Sequence, residues 1–331
     1  MSNPLDGDFL AIDAEAEVGR IIDGLRRALR ATRRRGLVVG ISGGVDSGVC
    51  AALCVEAVGP KKVFGLLMPE HDSSGSSVEL GRSVVEKLGI DHAVEHLGPA
   101  LEAIGCYRQR DEAIRRVFPD YDGTWKNKIV IRGGLEGGIN HFHLVVETPT
   151  GEIRERRLPL PEYLQIVAAT NYKQRLRKAI EYFHADRLNY AVIGTPNRLE
   201  YDQGFFVKNG DGSADIKPIA HLYKTQVYQL ARHLDLPEAV ATATPTTDTY
   251  SMEQGQDEFY FALPWDRMDI ALWALNHDVP AEQLAERLGI SVEQAEHVYD
   301  DIRAKRRTTR YQHALPILLA PVPEIDHTLK I

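Results

Sequence analysis

Residues 38–48 read VVGISGGVDSG, and after Ile41 they pack three glycines, two serines and an aspartate into seven positions. A strand that runs into such a turn and then a helix presents unpaired backbone amides and the positive end of a helix dipole, which together make an anion site. The glycines at 43 and 44 permit positive φ and close backbone approach, and Ser42 and Ser47 add hydroxyl donors. No lysine follows the turn, so it is not the G-x-x-x-x-G-K-[ST] loop, and its spacing is not G-x-G-x-x-G. An aspartate inside a phosphate cradle repels its ligand unless a cation lies between them. Asp46 therefore implies magnesium shared by the carboxylate and phosphate oxygens.

SGGVDS, residues 42–47, resembles the signature of the PP-loop ATP pyrophosphatases. The resemblance implies cleavage of ATP to AMP and pyrophosphate with adenylation of an acceptor, chemistry shared by synthases of several small molecules and by tRNA-thiolating enzymes. Residues 192–237, VIGTPNRLEYDQGFFVKNGDGSADIKPIAHLYKTQVYQLARHLDLP, narrow the choice because they resemble the NAD synthases. The positions that match are Thr195, Glu200, Lys208, Asp211, Asp215 and Lys224, followed by Thr246 in ATPTTD, with Asn171, Lys173 and Arg175 forming an upstream N-x-K-x-R element. The resemblance implies that Ser42, Gly43, Gly44 and Ser47 cradle phosphate and that Asp46 and Glu200 hold magnesium. It implies that Thr195, Lys224 and Thr246 contact ATP, Lys224 neutralising the leaving pyrophosphate, so that Asp46, Glu200 and Lys224 carry the catalysis. Asn171, Arg175, Lys208, Asp211 and Asp215 fall where the family grips its acyl substrate, deamido-NAD. Charge stabilisation and positioning of this kind are what attack on a polyanionic phosphorus requires.

Three departures bear on the substrate. Bulky Arg198 and Leu199 precede Glu200, the stretch between Cys106 and Asn171 is long, and the tail RRTTRYQHALP offers only Arg310 toward a dinucleotide. Amidation of a different small carboxylate is the alternative they raise, and a tRNA-modifying enzyme of the same superfamily is a more distant one. Only about forty residues precede the turn, too few for a glutaminase domain. The expected nitrogen source is ammonia, free or supplied by a partner's glutaminase, and the family resemblance implies a homodimer.

The elements that must carry these residues alternate. Val18, Ile21, Ile22, Leu25 and Leu29 recur at helical spacing over 13–35, ahead of Gly36. LVVGI, KVFGLLMP, DHAVEHL and NYAVIGT read as short strands, and GVCAALCVEAVG, SSVELGRSVVEKLG and YKTQVYQLARHLDLP as helices among them. Such alternation predicts an α/β fold with a doubly wound, mostly parallel sheet. Residues 120–160, with paired glycines and two-residue alternation, read as a β-hairpin-like insertion, and 250–331 as a helical C-terminal part, all within one domain over 1–331.

Composition excludes several classes. Thirty-nine basic against 47 acidic residues leave a formal charge of −8, which argues against a surface that wraps nucleic acid. No apolar run is long enough for a membrane span, and the acidic start is unlike a signal peptide, so a cytoplasmic protein is expected. The three cysteines, Cys50, Cys54 and Cys106, form no C-x-x-C pair. His141 and His143 have no third ligand at suggestive spacing, and the helix-turn-helix-like stretch 281–302 carries an acidic second helix, so both are expected to be structural.

Overall fold

The computed structural model describes residues 3–133, 141–245 and 250–325. Its strands are β1 (Leu37–Gly40), β2 (Val63–Leu67), β3 (Asp91–Val94), β4 (Lys126–Arg132), β5 (His141–Glu147), β6 (Ile153–Arg157) and β7 (Ala191–Ile193). The longer helices and the turns of helix between them are α1 (Ala14–Thr32), α2 (Val45–Val58), α3 (Gly75–Leu88), α4 (Gly98–Ala103), α5 (Cys106–Val117), α6 (Leu160–Leu188) and α7 (Arg198–Gln203). They continue as α8 (Lys224–His233), α9 (Glu238–Ala241), α10 (Gln256–Phe259), α11 (Trp265–Asn276), α12 (Ala281–Leu288), α13 (Val292–Thr308) and α14 (Arg310–His313).

The central sheet has the order β3-β2-β1-β7, with every pair parallel. Alternate strand residues feed two cores, as the two-residue period of a strand requires. Leu37, Val39, Val63, Leu67, Ala191 and Ile193 pack with α1, α2, α3 and α8 on one face. Val38, Leu66 and Val192 pack with α4, α5 and α6 on the other. The sheet is thus covered on both faces, as expected for parallel strands read as apolar runs. Helix α2 lies deep in the first core, where Leu53, Cys50 and Cys54 are fully buried. Among the described residues, no helix is long and apolar enough to cross a membrane.

The insertion is a three-stranded antiparallel meander, β4-β5-β6, with Ile129 opposite Leu144 and Lys126 opposite Glu147. Ile129, Leu144 and Val146 turn onto α5 and α6, making a third core with Phe118 and Tyr121. Strand β6 is an edge strand carrying three arginines and a glutamate, a polar edge that discourages further pairing. His141 and His143 lie on β5, where His143 pairs with Glu155 and His141 with Arg157. Helices α11, α12 and α13 close a fourth core around Met268, Leu272, Leu284 and Val298, so the helix-turn-helix-like stretch is packing. The helical C-terminal part ends at His313; residues 314–325 that follow contain neither helix nor strand, and the prolines at 316, 321 and 323 explain why.

Removing a fully buried side chain from α2 tests this layering. Leu53→Ala is expected to cost about 2–5 kcal/mol in urea unfolding, the range for a large-to-small core change, whereas Ile153→Ala on the exposed edge strand β6 stays within about 0.5 kcal/mol.

Candidate active site

In the sheet, the chain runs from β1 outward through β2 and β3, then returns on the other side of β1 as β7. Loops that leave the C-terminal ends of β1 and β7 therefore diverge, and the crevice between them is where open α/β sheets bind ligands. A cleft of about 1410 Å³ opens there. Its floor is the 41–47 turn, and its walls come from the loop after β2, from α6, from the loop after β7, from β4 and β5, and from α13 and α14.

The turn is built to keep its amides exposed. Gly43 has φ +88°, and a Cβ placed there would come within 2.5 Å of the Ser77 carbonyl oxygen on α3. Gly44 caps α2 with extended backbone. Ser47, buried, donates its hydroxyl to the Gly44 carbonyl at 3.0 Å and accepts the Ser42 N–H at 3.2 Å, and the Ser42 hydroxyl accepts the Gly44 N–H at 3.3 Å. Ser47 is thus spent on bracing the loop, and the more exposed Ser42 hydroxyl faces the cleft.

Asp46, in the first turn of α2, meets two residues from elsewhere in the chain. Its Oδ2 accepts from the ammonium of Lys224, the first residue of α8. Its Oδ1 accepts from the Asn197 amide at 3.2 Å. Asn197 also caps α7 in a reciprocal box with Glu200: its backbone N–H donates to Glu200 Oε2 at 3.2 Å while its side chain accepts the Glu200 N–H at 3.3 Å. The other Glu200 oxygen accepts from the Gln256 amide at 3.0 Å. Burial pushes the Glu200 carboxyl up to about 8, and the neighbouring Asp46 carboxylate adds to the rise while Lys224 opposes it. Burial pulls the Lys224 ammonium down, but Asp46 and Glu200 outweigh it and hold it above its ordinary pKa.

Lys224 sits at a helix N-terminus, an unfavourable end for a cation. Asp269 of α11, fully buried, compensates by accepting the N–H groups of Lys224 at 3.1 Å and Thr225 at 2.6 Å, and the Thr225 hydroxyl at 2.7 Å. Burial pushes the Asp269 carboxyl up to about 6 against those bonds.

The remaining sequence candidates divide. Thr195, Asn171, Arg175, Lys208 and Asp211 line the cleft with the turn, Asp46, Glu200 and Lys224. Arg175 Nε donates to the Lys208 carbonyl at 3.3 Å, and Lys208 Nζ donates to the carbonyl of Tyr311 at 2.7 Å, tying α6 and the tail to one rim. Asp211 accepts the Val207 N–H at 2.8 Å, closing its own turn. Asp215 does not line the cleft: its carboxylate accepts the Val192 N–H at 2.8 Å and the Tyr182 hydroxyl at 3.3 Å at the edge of β7. Lys173, of the N-x-K-x-R element, turns inward to Glu70 at 2.9 Å and Asp72 at 2.5 Å. Thr246 lies outside the described residues. Leu199 is buried in the core around α11 and Arg198 lies over the Tyr223 ring, so neither lines the cleft. Arg310 is exposed and also stands off it. Sequence reasoning missed Asn197, Gln256 and Asp269. The N-x-x-E spacing of Asn197 and Glu200 was a legible capping signal; no local pattern announces the other two.

A parallel sheet whose switch-point crevice joins an exposed amide cradle to a lysine and two carboxylates defines a phosphate-binding α/β protein. The NAD synthase family model matches residues 17–117 and 144–315. An NH3-dependent NAD+ synthetase from Rhizobium meliloti is 58% identical over 320 residues, 96% of each chain. Among solved structures, an NH3-dependent NAD synthetase from Campylobacter jejuni superimposes with a TM-score of 0.61 at 20% identity, covering 94% of this chain and all of that one. An NMN synthetase from Francisella tularensis gives 0.61 at 21% identity, covering 93% and 99%. The chain belongs to the NAD synthase family.

The cradle makes a contrast between adjacent glycines testable. Gly43→Ala must hold a side chain at positive φ against a backbone oxygen, a strain of about 1–3 kcal/mol; Gly44→Ala, with φ −82° and its nearest contact a movable serine oxygen at 3.4 Å, should melt like the parent. Thermal denaturation of the two variants checks this.

Proposed function

We propose that the chain is an ATP-dependent ligase that converts deamido-NAD to NAD with ammonia. The substrate carboxylate attacks the α-phosphorus of ATP, the bond to the β-phosphate breaks, and pyrophosphate leaves. Ammonia then adds to the acyl-adenylate carbonyl, AMP departs with the acyl C–O bonding pair, and the nitrogen gives up a proton. The observation that carries the reading is the Lys224 ammonium held against Asp46 beside Glu200 at the mouth of the amide cradle. The name of the Rhizobium meliloti relative supports ammonia and NAD as nitrogen source and product.

The cradle of Ser42, Gly43 and Gly44, braced by Ser47, receives the departing phosphates through amides and a hydroxyl, and Lys224 balances the charge that grows on them. Thr195 lies beside the same crevice and Thr246 completes the ATP contacts. Among the described residues no group of three or more metal-ligating side chains stands together. Two carboxylates and phosphate oxygens are nonetheless the donor set magnesium takes, and Asp46 and Glu200, both bonded to Asn197, fit it. Magnesium bound there supplies positive charge for pyrophosphate departure. Lys224 holds Asp46 Oδ2 and Asn197 holds Oδ1, so Asp46 would serve magnesium where bound phosphate shares the Lys224 ammonium. Asn171, Arg175, Lys208 and Asp211 form the acyl-substrate rim, and Asp215 joins them by fixing β7. Exposed Leu164, Tyr172 and Phe183 on α6 support a homodimer that buries this apolar surface.

One observation favours a second reading, amidation of another carboxylate: Lys126, Ile131 and Phe142 of the insertion enter the cleft wall. A tRNA-thiolating role has no such support. Cys50, Cys54 and Cys106 are buried, and burial pushes all three thiols up, away from nucleophilic thiolates.

Asp46→Asn and Glu200→Gln are each expected to cut pyrophosphate release by at least about a hundredfold, the scale of losing a group that stabilises transition-state charge, with circular dichroism unchanged. Near-parental turnover in either would remove that residue from the chemistry. Substrate and nitrogen source are read together by measuring AMP with ATP, magnesium and ammonia, offering deamido-NAD beside nicotinic acid mononucleotide and other metabolite acids. Saturable turnover of deamido-NAD with ammonia, and little with glutamine, is expected; turnover on another acid alone would shift the assignment to the second reading.

A further inference from the structure

The family match leaves out residues 118–143, which contain all of β4. Strand β4 nevertheless holds a segment that reaches the catalytic carboxylates. One edge of β4 pairs with β5, and the other is taken up by residues 251–254. The Asn127 N–H donates to the Ser251 hydroxyl at 2.8 Å, and the Met252 N–H donates to the Asn127 carbonyl at 3.2 Å. The Asn127 amide, fully buried, bridges the Tyr121 hydroxyl at 3.1 Å and the Ser251 hydroxyl at 3.3 Å. The Gln254 amide donates to the Ile129 carbonyl at 2.5 Å, and the Lys128 ammonium donates to the Glu253 carbonyl at 3.2 Å. Two residues further on, Gln256 opens α10 and gives its amide N–H to Glu200 Oε1.

We propose that the β4 edge is a positioning device for Glu200: by fixing residues 251–254, it places the Gln256 amide on one oxygen of a carboxylate whose other oxygen is held by Asn197. The proposal rests on the reading of Glu200 as a magnesium ligand. Its physical basis is that a ligating carboxylate with both oxygens hydrogen-bonded has one orientation, and metal affinity depends on that orientation. A free Glu200 would have to be ordered each time a cation binds. Gln256 is a positioning residue, and Asn127 acts through it from outside the cleft.

The test measures Mn2+ binding to the whole chain in the presence of ATP by electron paramagnetic resonance, beside melting temperature. Gln256→Ala should weaken Mn2+ binding about tenfold, the low end for loss of a ligand's hydrogen-bond partner. Gln256→Met, close in size but unable to donate a hydrogen bond, should do the same without opening a cavity. Asn127→Ala should weaken binding less but in the same direction, and the Asn127→Ala/Gln256→Ala double variant should bind as Gln256→Ala does. Unchanged Mn2+ affinity in both Gln256 variants overturns the proposal, as does a loss from Asn127→Ala that adds fully to that of Gln256→Ala, because the strand would then act by another route. Glu200→Gln separates the two layers: if it binds Mn2+ as the parent does, the ligand reading itself falls, whereas lost binding there with intact Gln256 variants sinks the positioning alone.

Discussion

The contact between Lys224 and Asp46 is the constraint around which the molecule is arranged. Each group stands at the N-terminus of a helix, where the dipole welcomes the carboxylate and opposes the ammonium. A lysine this deeply buried keeps its proton only if carboxylates stand close, and Asp46 with Glu200 supplies that field. Buried ion pairs seldom add stability over apolar packing, since desolvation consumes most of the attraction. This pair is better understood as function built into the fold. It joins α2 to α8, and through Asp269 it joins both to α11, so the C-terminal helices help hold the wall of the cleft.

Much of this was legible in residue type and spacing. The strand–turn–helix at 37–58 could be read because its apolar runs are short, its glycines fall at the turn, and Gly59 ends the helix. What spacing could not disclose is which edge a side chain takes. Asp215 occupies a motif position, yet its carboxylate is bonded to the Val192 amide at the sheet edge, while Asp211, four residues earlier, lines the cleft. Arg198 and Leu199 look obstructive beside Glu200 in a linear reading. One turn of helix carries Leu199 into the core around α11 and sets Arg198 over Tyr223.

Helix α6 was hidden for a different reason. Over Leu160–Leu188 it packs one part against the insertion core and another against the sheet, so its apolar residues follow no single stripe. Its buried Lys173, Lys178 and Glu181 dilute the signal further, each satisfied by an ion pair rather than by water. Contacts such as Gln256 with Glu200 or Asp269 with Lys224 join residues 56 and 45 positions apart, and no local pattern encodes them.

Charge in the cleft is balanced despite the acidic chain around it. The chain carries a net −8, yet basic and acidic side chains line the described cleft in equal number. Lys224 faces Asp46, and Lys178 is tied to Glu181 at 2.6 Å, so much of the basic charge is already engaged. With no excess of basic side chains lining it, the cleft owes its attraction for anions to the exposed amide dipoles of the 42–44 turn.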